Sequence, residues 1–207
     1  MHIFKQGQKK LLISFGVLLL GICLGTFSKY LDYRQTDLPA VLSFIDRVLD
    51  LHNFLGGFSP WILIALCLSI YSQTPLQASI NVFLFFVGMV SSYYLYSNFV
   101  AGFFPRSYAM IWIILAFLSP FLAWICWHAK GKGTVSQILS AGIISVFINT
   151  AFAYGMFYLS ITSFLNVAML LLAIWVLHRS AKETLLMIAS GILLAVLTNA
   201  LIPFRIW

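Results

Sequence analysis

The chain has 207 residues, of which 62% are hydrophobic and 8% charged, and it carries a net charge of +7. A soluble domain holds about a quarter charged residues, so a water-exposed fold of this length is excluded, whereas a bilayer accepts an apolar exterior. The basic residues sit in short stretches between apolar runs instead of on a water-facing patch, which argues against nucleic acid as a partner and marks membrane topology.

In chain order the apolar runs predict seven transmembrane spans near 11–28, 57–72, 75–100, 105–129, 134–158, 161–179 and 182–202. The expected fold is an all-α bundle, a single transmembrane domain over 1–207. Lys9-Lys10 ahead of Leu11 resemble the start of a signal peptide. Thr26 and Ser28 make a poor small-residue cleavage site, so the first run reads as a retained helix. Between the first two spans, Leu38, Val41, Leu42, Ile45, Val48 and Leu49 recur at helical spacing with Asp46, Arg47 and Asp50 elsewhere on the turn. This predicts an amphipathic helix over 37–53, lying either in the membrane interface or across the mouth of the bundle.

Punctuation marks the other boundaries. Ser59-Pro60 and Thr74-Pro75 each place a capping oxygen before a proline at the first helical position. Ser180-Ala181-Lys182-Glu183 has the form of a capping box, and Pro203 closes the last span. Pro60 to Ser72 is short, about 20 Å of helix against about 30 Å of hydrocarbon. Pro120, in mid-span, removes a backbone donor and is expected to kink its helix.

Lys5, Lys9, Lys10, Lys130, Lys132, Arg179 and Lys182 fall on one side of this topology, opposed only by Glu183. Lys29, Arg34, Arg47, Arg106 and Arg205 fall on the other, with four aspartates among them. The positive-inside rule then puts the N-terminus in the cytoplasm and the C-terminus outside, with the plasma membrane the expected location.

No Asp or Glu lies deep in any span, which speaks against a proton relay. The intramembrane polar groups are amides, hydroxyls and small residues arranged in stripes, such as Gln77, Asn81, Gly88, Ser91 and Asn98 on the third span. Gly142, Ser145, Asn149 and Met156 form another on the fifth. Gly21-xxx-Gly25, Ala151-xxx-Gly155 and Gly191-xxx-Ala195 have the spacing that lets helices approach closely. Helix packing and a lined cavity both account for such stripes. Lys29, Asp32, Asn98, Arg106, Asn149, Tyr154 and Asn199 all fall in the outer half or at its rim, and are the candidate ligand-binding residues. A pocket lined by amides and aromatics, with Lys29 and Arg106 at its mouth, suits a small polar or anionic ligand. An ordinary interfacial belt of aromatic and snorkelling basic residues explains the same depths.

Enzymatic signatures are weak. Ile188-Ala189-Ser190-Gly191 resembles the rhomboid serine motif without its leading glycine, and Cys126 and His128, two apart, point to different sides of a helix. Cys23, Cys67 and Cys126 all lie in apolar runs, and His52 has no companion ligands in sequence. No cofactor or metal is expected.

Short helix, tight turn and long helix occur at 57–100 and again at 161–202. With the helices preceding them, that layout resembles the three-plus-one-plus-three sugar transporters and their PQ-loop relatives, although no Pro-Gln dipeptide is present. In size, basicity, hydrophobicity and the Gly21/Gly25 spacing of its first helix, the chain also resembles the substrate-capture subunits of energy-coupling-factor vitamin transporters. Those have six helices against seven counted here, so none of their residues carries over. Both resemblances imply a small-molecule transporter or the substrate-binding subunit of one. The alternatives are an accessory protein working through a membrane partner, or an intramembrane enzyme. Membrane lipid surrounds the chain in every case.

Overall fold

The computed structural model describes residues 2–34 and 37–201, apart from the side chains of 2–6 and 9. Pro203 and the last residue of the span 182–202 lie outside them. The chain is mostly helical, and among the described residues five helices are long and apolar enough to cross a membrane. These mark a helical membrane protein. They are α1 (His2–Tyr33), α5 (Pro75–Phe99), α6 (Arg106–Trp127), α7 (Thr134–Ala151) and α9 (Ala181–Leu201). Two apolar helices are shorter, α4 (Ser59–Ile70) and α8 (Phe164–Leu177). The seven apolar helices match the seven expected runs in order, and five of them meet the length needed to span.

Several boundaries differ from expectation, beginning with α1, which runs from His2 to Tyr33 where 11–28 was expected. The span expected over 134–158 stops at Ala151. Residues 152–161 form an antiparallel hairpin, β1 (Phe152–Gly155) and β2 (Tyr158–Ile161), with Phe152 opposite Ile161 and Gly155 opposite Tyr158. Hydropathy does not separate strand from helix in a segment this apolar; its aromatic and β-branched content favours the strand. Thr162 makes the ending possible, its hydroxyl donating to the Thr150 carbonyl at 2.5 Å and the Ala151 carbonyl at 3.0 Å. The last acceptors of α7 are thereby satisfied. Gly155 and Met156 consequently leave the helical stripes to which spacing assigned them.

The amphipathic segment is broken into α2 (Ala40–Leu49) and α3 (Leu51–Gly56). Asp50 takes the left-handed conformation between them, at φ 54°. The Asp46 carboxylate accepts from the His52 backbone at 2.9 Å and from its ring Nδ1 at 2.9 Å, so it serves as a remote cap for α3. At the other end of α3, the Leu55 carbonyl accepts from Trp61 Nε1 at 2.9 Å and Ser28 Oγ at 3.4 Å. The Gly56 carbonyl accepts from Tyr108 at 3.2 Å. The short α3 packs on α1 and α4, while Val41, Phe44 and Val48 of α2 remain exposed.

Ser59 is not a cap either. The helix starts on it, and its buried hydroxyl has no hydrogen-bond partner among the described residues. Thr74 does cap α5, accepting from the Gln77 backbone at 3.1 Å. At Pro120 the helix α6 continues unbroken. The missing donor to the carbonyl four residues back is replaced by the Ser119 hydroxyl, 2.8 Å from the Ala116 oxygen.

Two cores organise the bundle. Trp61, Val82, Phe85, Met89 and Trp112 belong to the first, formed by α1, α4, α5 and α6. Leu66, Ile144, Phe147, Ala173 and Leu177 belong to the second, formed by α4, α7, α8 and α9. The short α4 is common to both. Its start meets Trp112 through Phe58, with ring centroids at 4.8 Å, and its far end meets Trp127, whose Nε1 donates to the Ser72 carbonyl at 2.9 Å. It therefore runs parallel to α6, start beside start and end beside end.

The tightest seam joins α1 to α5. A Cβ on Gly21 or Gly25 would strike the carbonyls of Phe85 and Met89, and one on Gly88 would come within 2.6 Å of the Leu18 carbonyl. Here the small-xxx-small spacing is a packing device. Gly25→Leu is expected to lower the thermal unfolding midpoint in detergent by the equivalent of about 1–3 kcal/mol or more. Gly16→Leu, at a site with nothing within 4 Å, should leave the midpoint unchanged.

Candidate functional site

All seven candidate residues lie at one end of the bundle, the end that holds the hairpin and α3, but they divide between the two cores. On the first, Lys29 is almost wholly buried on α1. Its ammonium lies 2.5 Å from Asp32, and 5.1 and 4.8 Å from the ring centroids of Tyr93 and Phe103. Asp32, more open to its surroundings, also accepts from the Tyr93 hydroxyl at 3.4 Å. The carboxylate and the two ring faces compensate a charge that would otherwise be costly to bury. Asn98 and Arg106 are exposed at the ends of α5 and α6. Beside this cluster, under α3, lies a cavity of about 20 Å³ bounded by Ser28, Leu55, Tyr93, Tyr108 and Trp112. That is room for about one water molecule, and none of the seven candidates lines it.

On the second core, Asn149 of α7 is buried and fully engaged. Its Nδ2 donates to Thr198 Oγ1 at 3.0 Å and to the Ala195 carbonyl at 3.4 Å, and its Oδ1 accepts from the Tyr154 hydroxyl at 2.5 Å. Asn199 donates from Nδ2 to the Tyr154 carbonyl at 3.3 Å. Both amides hold the hairpin against α7 and α9. Gly191 lets these helices meet, since a Cβ there would lie 2.9 Å from Ile144.

Tyr154 is the one candidate that lines the large cavity, an apolar groove of about 440 Å³. Ile144 and Ile148 of α7 form its floor, Leu170 and Ile174 of α8 one wall, and Ile188, Ile192 and Val196 of α9 the other. Phe152, Tyr154, Tyr158 and Leu159 of the hairpin close one end. Spacing did not find this groove, because its lining is drawn from five elements and is nearly all hydrocarbon.

The opposite end of the bundle is basic. Arg179 donates from Nη2 to the Ala129 carbonyl, to the Ser136 carbonyl at 3.1 Å and to Ser140 Oγ at 3.1 Å. It ties the 3-10 turn His128–Lys130 to α7, while Lys130 stands 5.5 Å over the Tyr71 ring.

The residues weighed for catalysis are engaged otherwise. Ser190 donates to the Leu186 carbonyl of its own helix at 2.6 Å, and His128 Nδ1 lies 2.9 Å from the Trp124 carbonyl. Among the described residues no group of three His, Cys, Asp or Glu side chains is placed to hold a metal.

A family model described as a family of unknown function, DUF6518, matches residues 5–204. The chain belongs to that family. No curated protein and no solved structure matches it. The DUF6518 match takes in both cores, the hairpin and the α2–α3 segment, so the whole bundle is the family's unit.

In this DUF6518 chain, Asn149→Ala and Tyr154→Phe should each lower thermal stability in detergent. A double-mutant cycle should give a coupling of about 0.6 kcal/mol, the usual size of an interhelical side-chain bond. Unchanged stability in both variants would argue against this packing role.

Proposed function

We propose that the chain is a small-molecule protein of the plasma membrane, a transporter or the substrate-binding subunit of one. The observation that carries this reading is the groove on α7, α8 and α9. Its volume of about 440 Å³ falls in the range of small-molecule sites, about 300–1,000 Å³. In this reading Asn149 and Asn199 hold Tyr154 at the wall of the groove. The exposed Asn98 and Arg106 offer a polar rim on the neighbouring core to a polar or anionic group approaching from water, with Lys29 held buried against Asp32.

Charge supports the orientation. Lys130, Lys132, Arg179 and Lys182 gather at one end, while Lys29 and Arg106 share theirs with Asp32, Asp46 and Asp50. The basic end, with the N-terminus, then faces the cytoplasm, and the hairpin and C-terminus face outward. The loops at the basic end are too short to form a nucleotide-binding domain, so ATP-driven uptake would require a second chain.

A second reading, an accessory protein acting through helix contacts, draws support from the polar groups used up in internal packing, Asn149 and the Ser14–Asn81 pair (2.8 Å) among them.

Purification of the natively expressed chain in mild detergent, followed by native mass spectrometry, tests the two. A retained small molecule, or a stoichiometric ATP-hydrolysing partner that carries ligand only when this chain is present, is the outcome expected. A partner complex with no ligand under any loading condition would favour the accessory reading. A ligand-free, partner-free monomer would overturn transport.

A further inference from the structure

The two helices that wall the groove are consecutive in sequence and joined by a short turn, yet they scarcely touch each other. Both α8 and α9 rest on α7 instead, so a cleft separates them. Its floor is sealed, since Ile144 is fully buried, while Ile192 and Val196 at the rim are about half exposed. The faces on either side of the cleft carry Leu171, Trp175, Leu193 and Leu197, all exposed large apolar side chains. In a helical membrane protein such faces meet lipid, so the cleft opens sideways into the bilayer and not toward water.

The lining contains no charged side chain, and its two tyrosines, Tyr154 and Tyr158, both belong to the hairpin. Ile188, Ile192 and Val196 repeat at intervals of four, a continuous apolar wall about 12 Å long. A water-soluble ligand would lose its hydration here without finding partners. A hydrocarbon chain has no such loss, and it is already present at the mouth.

The hairpin adds an independent observation. Met156 and Phe157 at its tip are 91% and 93% exposed, with Leu159 and Phe164 beside them also largely uncovered. Bulky apolar groups held this far out at the end of a membrane bundle are placed to dip into the lipid surface. The strands that carry them also form the end wall of the groove.

From this geometry we infer that the groove binds one acyl chain of a membrane lipid, admitted laterally between α8 and α9, with its polar end held at the hairpin. This names the ligand class of the site on which the proposed function rests. The lipid is the occupant, and the small polar or anionic ligand expected from the sequence is not.

The test is native mass spectrometry of the full chain, washed in detergent until loosely held lipid is stripped. The wild-type protein should retain a single acyl lipid. Ile148→Trp fills the floor of the groove, and Ile192→Trp, at its half-exposed rim, serves should the first variant fold poorly. Each should reduce the retained fraction about tenfold or more, equivalent to about 1.4 kcal/mol. Leu193→Trp adds the same bulk on the lipid-facing side of α9 and should keep the adduct.

A wild-type protein with no retained lipid overturns the proposal, as does equal retention in the groove and control variants. A retained water-soluble molecule in place of lipid also overturns it, yet leaves the transport reading standing. A single lipid lost on filling the groove supports it even where no ATP-hydrolysing partner is found.

Discussion

Hydrocarbon offers no hydrogen bonds, so the backbone polar groups that this chain carries into the bilayer must find their partners within the protein. Most of the local departures from a regular bundle answer that demand. Ser119 supplies the donor that Pro120 lacks, and Thr162 takes up the two carbonyls left where α7 ends. Trp61, Ser28 and Tyr108 do the same for the last carbonyls of α3. Arg179 performs this service at the basic end, where it gathers acceptors from the 3-10 turn and α7. Each is a side chain answering a backbone interruption, and the interruptions give the molecule its shape.

Because lipid is as apolar as the helices, hydrophobic burial does not by itself hold them together; close packing must. The glycines of α1 and α5 bring two backbones into contact, and Gly191 does so for α7 and α9. These two seams are equivalent in the order of the chain, since each joins the first helix of a half to its third. The halves differ in where the short helix goes. In the first, α4 lies against α5 and α6 and is shared by both cores; in the second, α8 lies on α7 and leaves α9. That difference opens the groove in one half and fills the corresponding space in the other with Trp61 and Phe85.

The candidate site was partly legible in the sequence. Depth along the apolar runs grouped Lys29, Asp32, Asn98, Arg106, Asn149, Tyr154 and Asn199 as one candidate set. Depth does not record azimuth, however, and only azimuth distinguishes one pocket from two clusters. Lys29 turns inward to Asp32 and two aromatic rings, whereas Asn149 turns toward α9 and spends its amide on Tyr154 and Thr198.

What the sequence determined by itself is the chain's solvent: a composition this apolar and this poor in charge requires lipid. It also determined the order of the apolar helices, because their boundaries are written in local signals such as Thr74-Pro75 and the Ser180 cap. The end of α7 escaped it, because Phe152 to Ile161 is equally apolar as helix or strand and the choice rests on Thr162 reaching back ten and more residues. The groove escaped it for a related reason. A cavity is the space that several elements leave unfilled, and no run of residues encodes that space until the helices have packed.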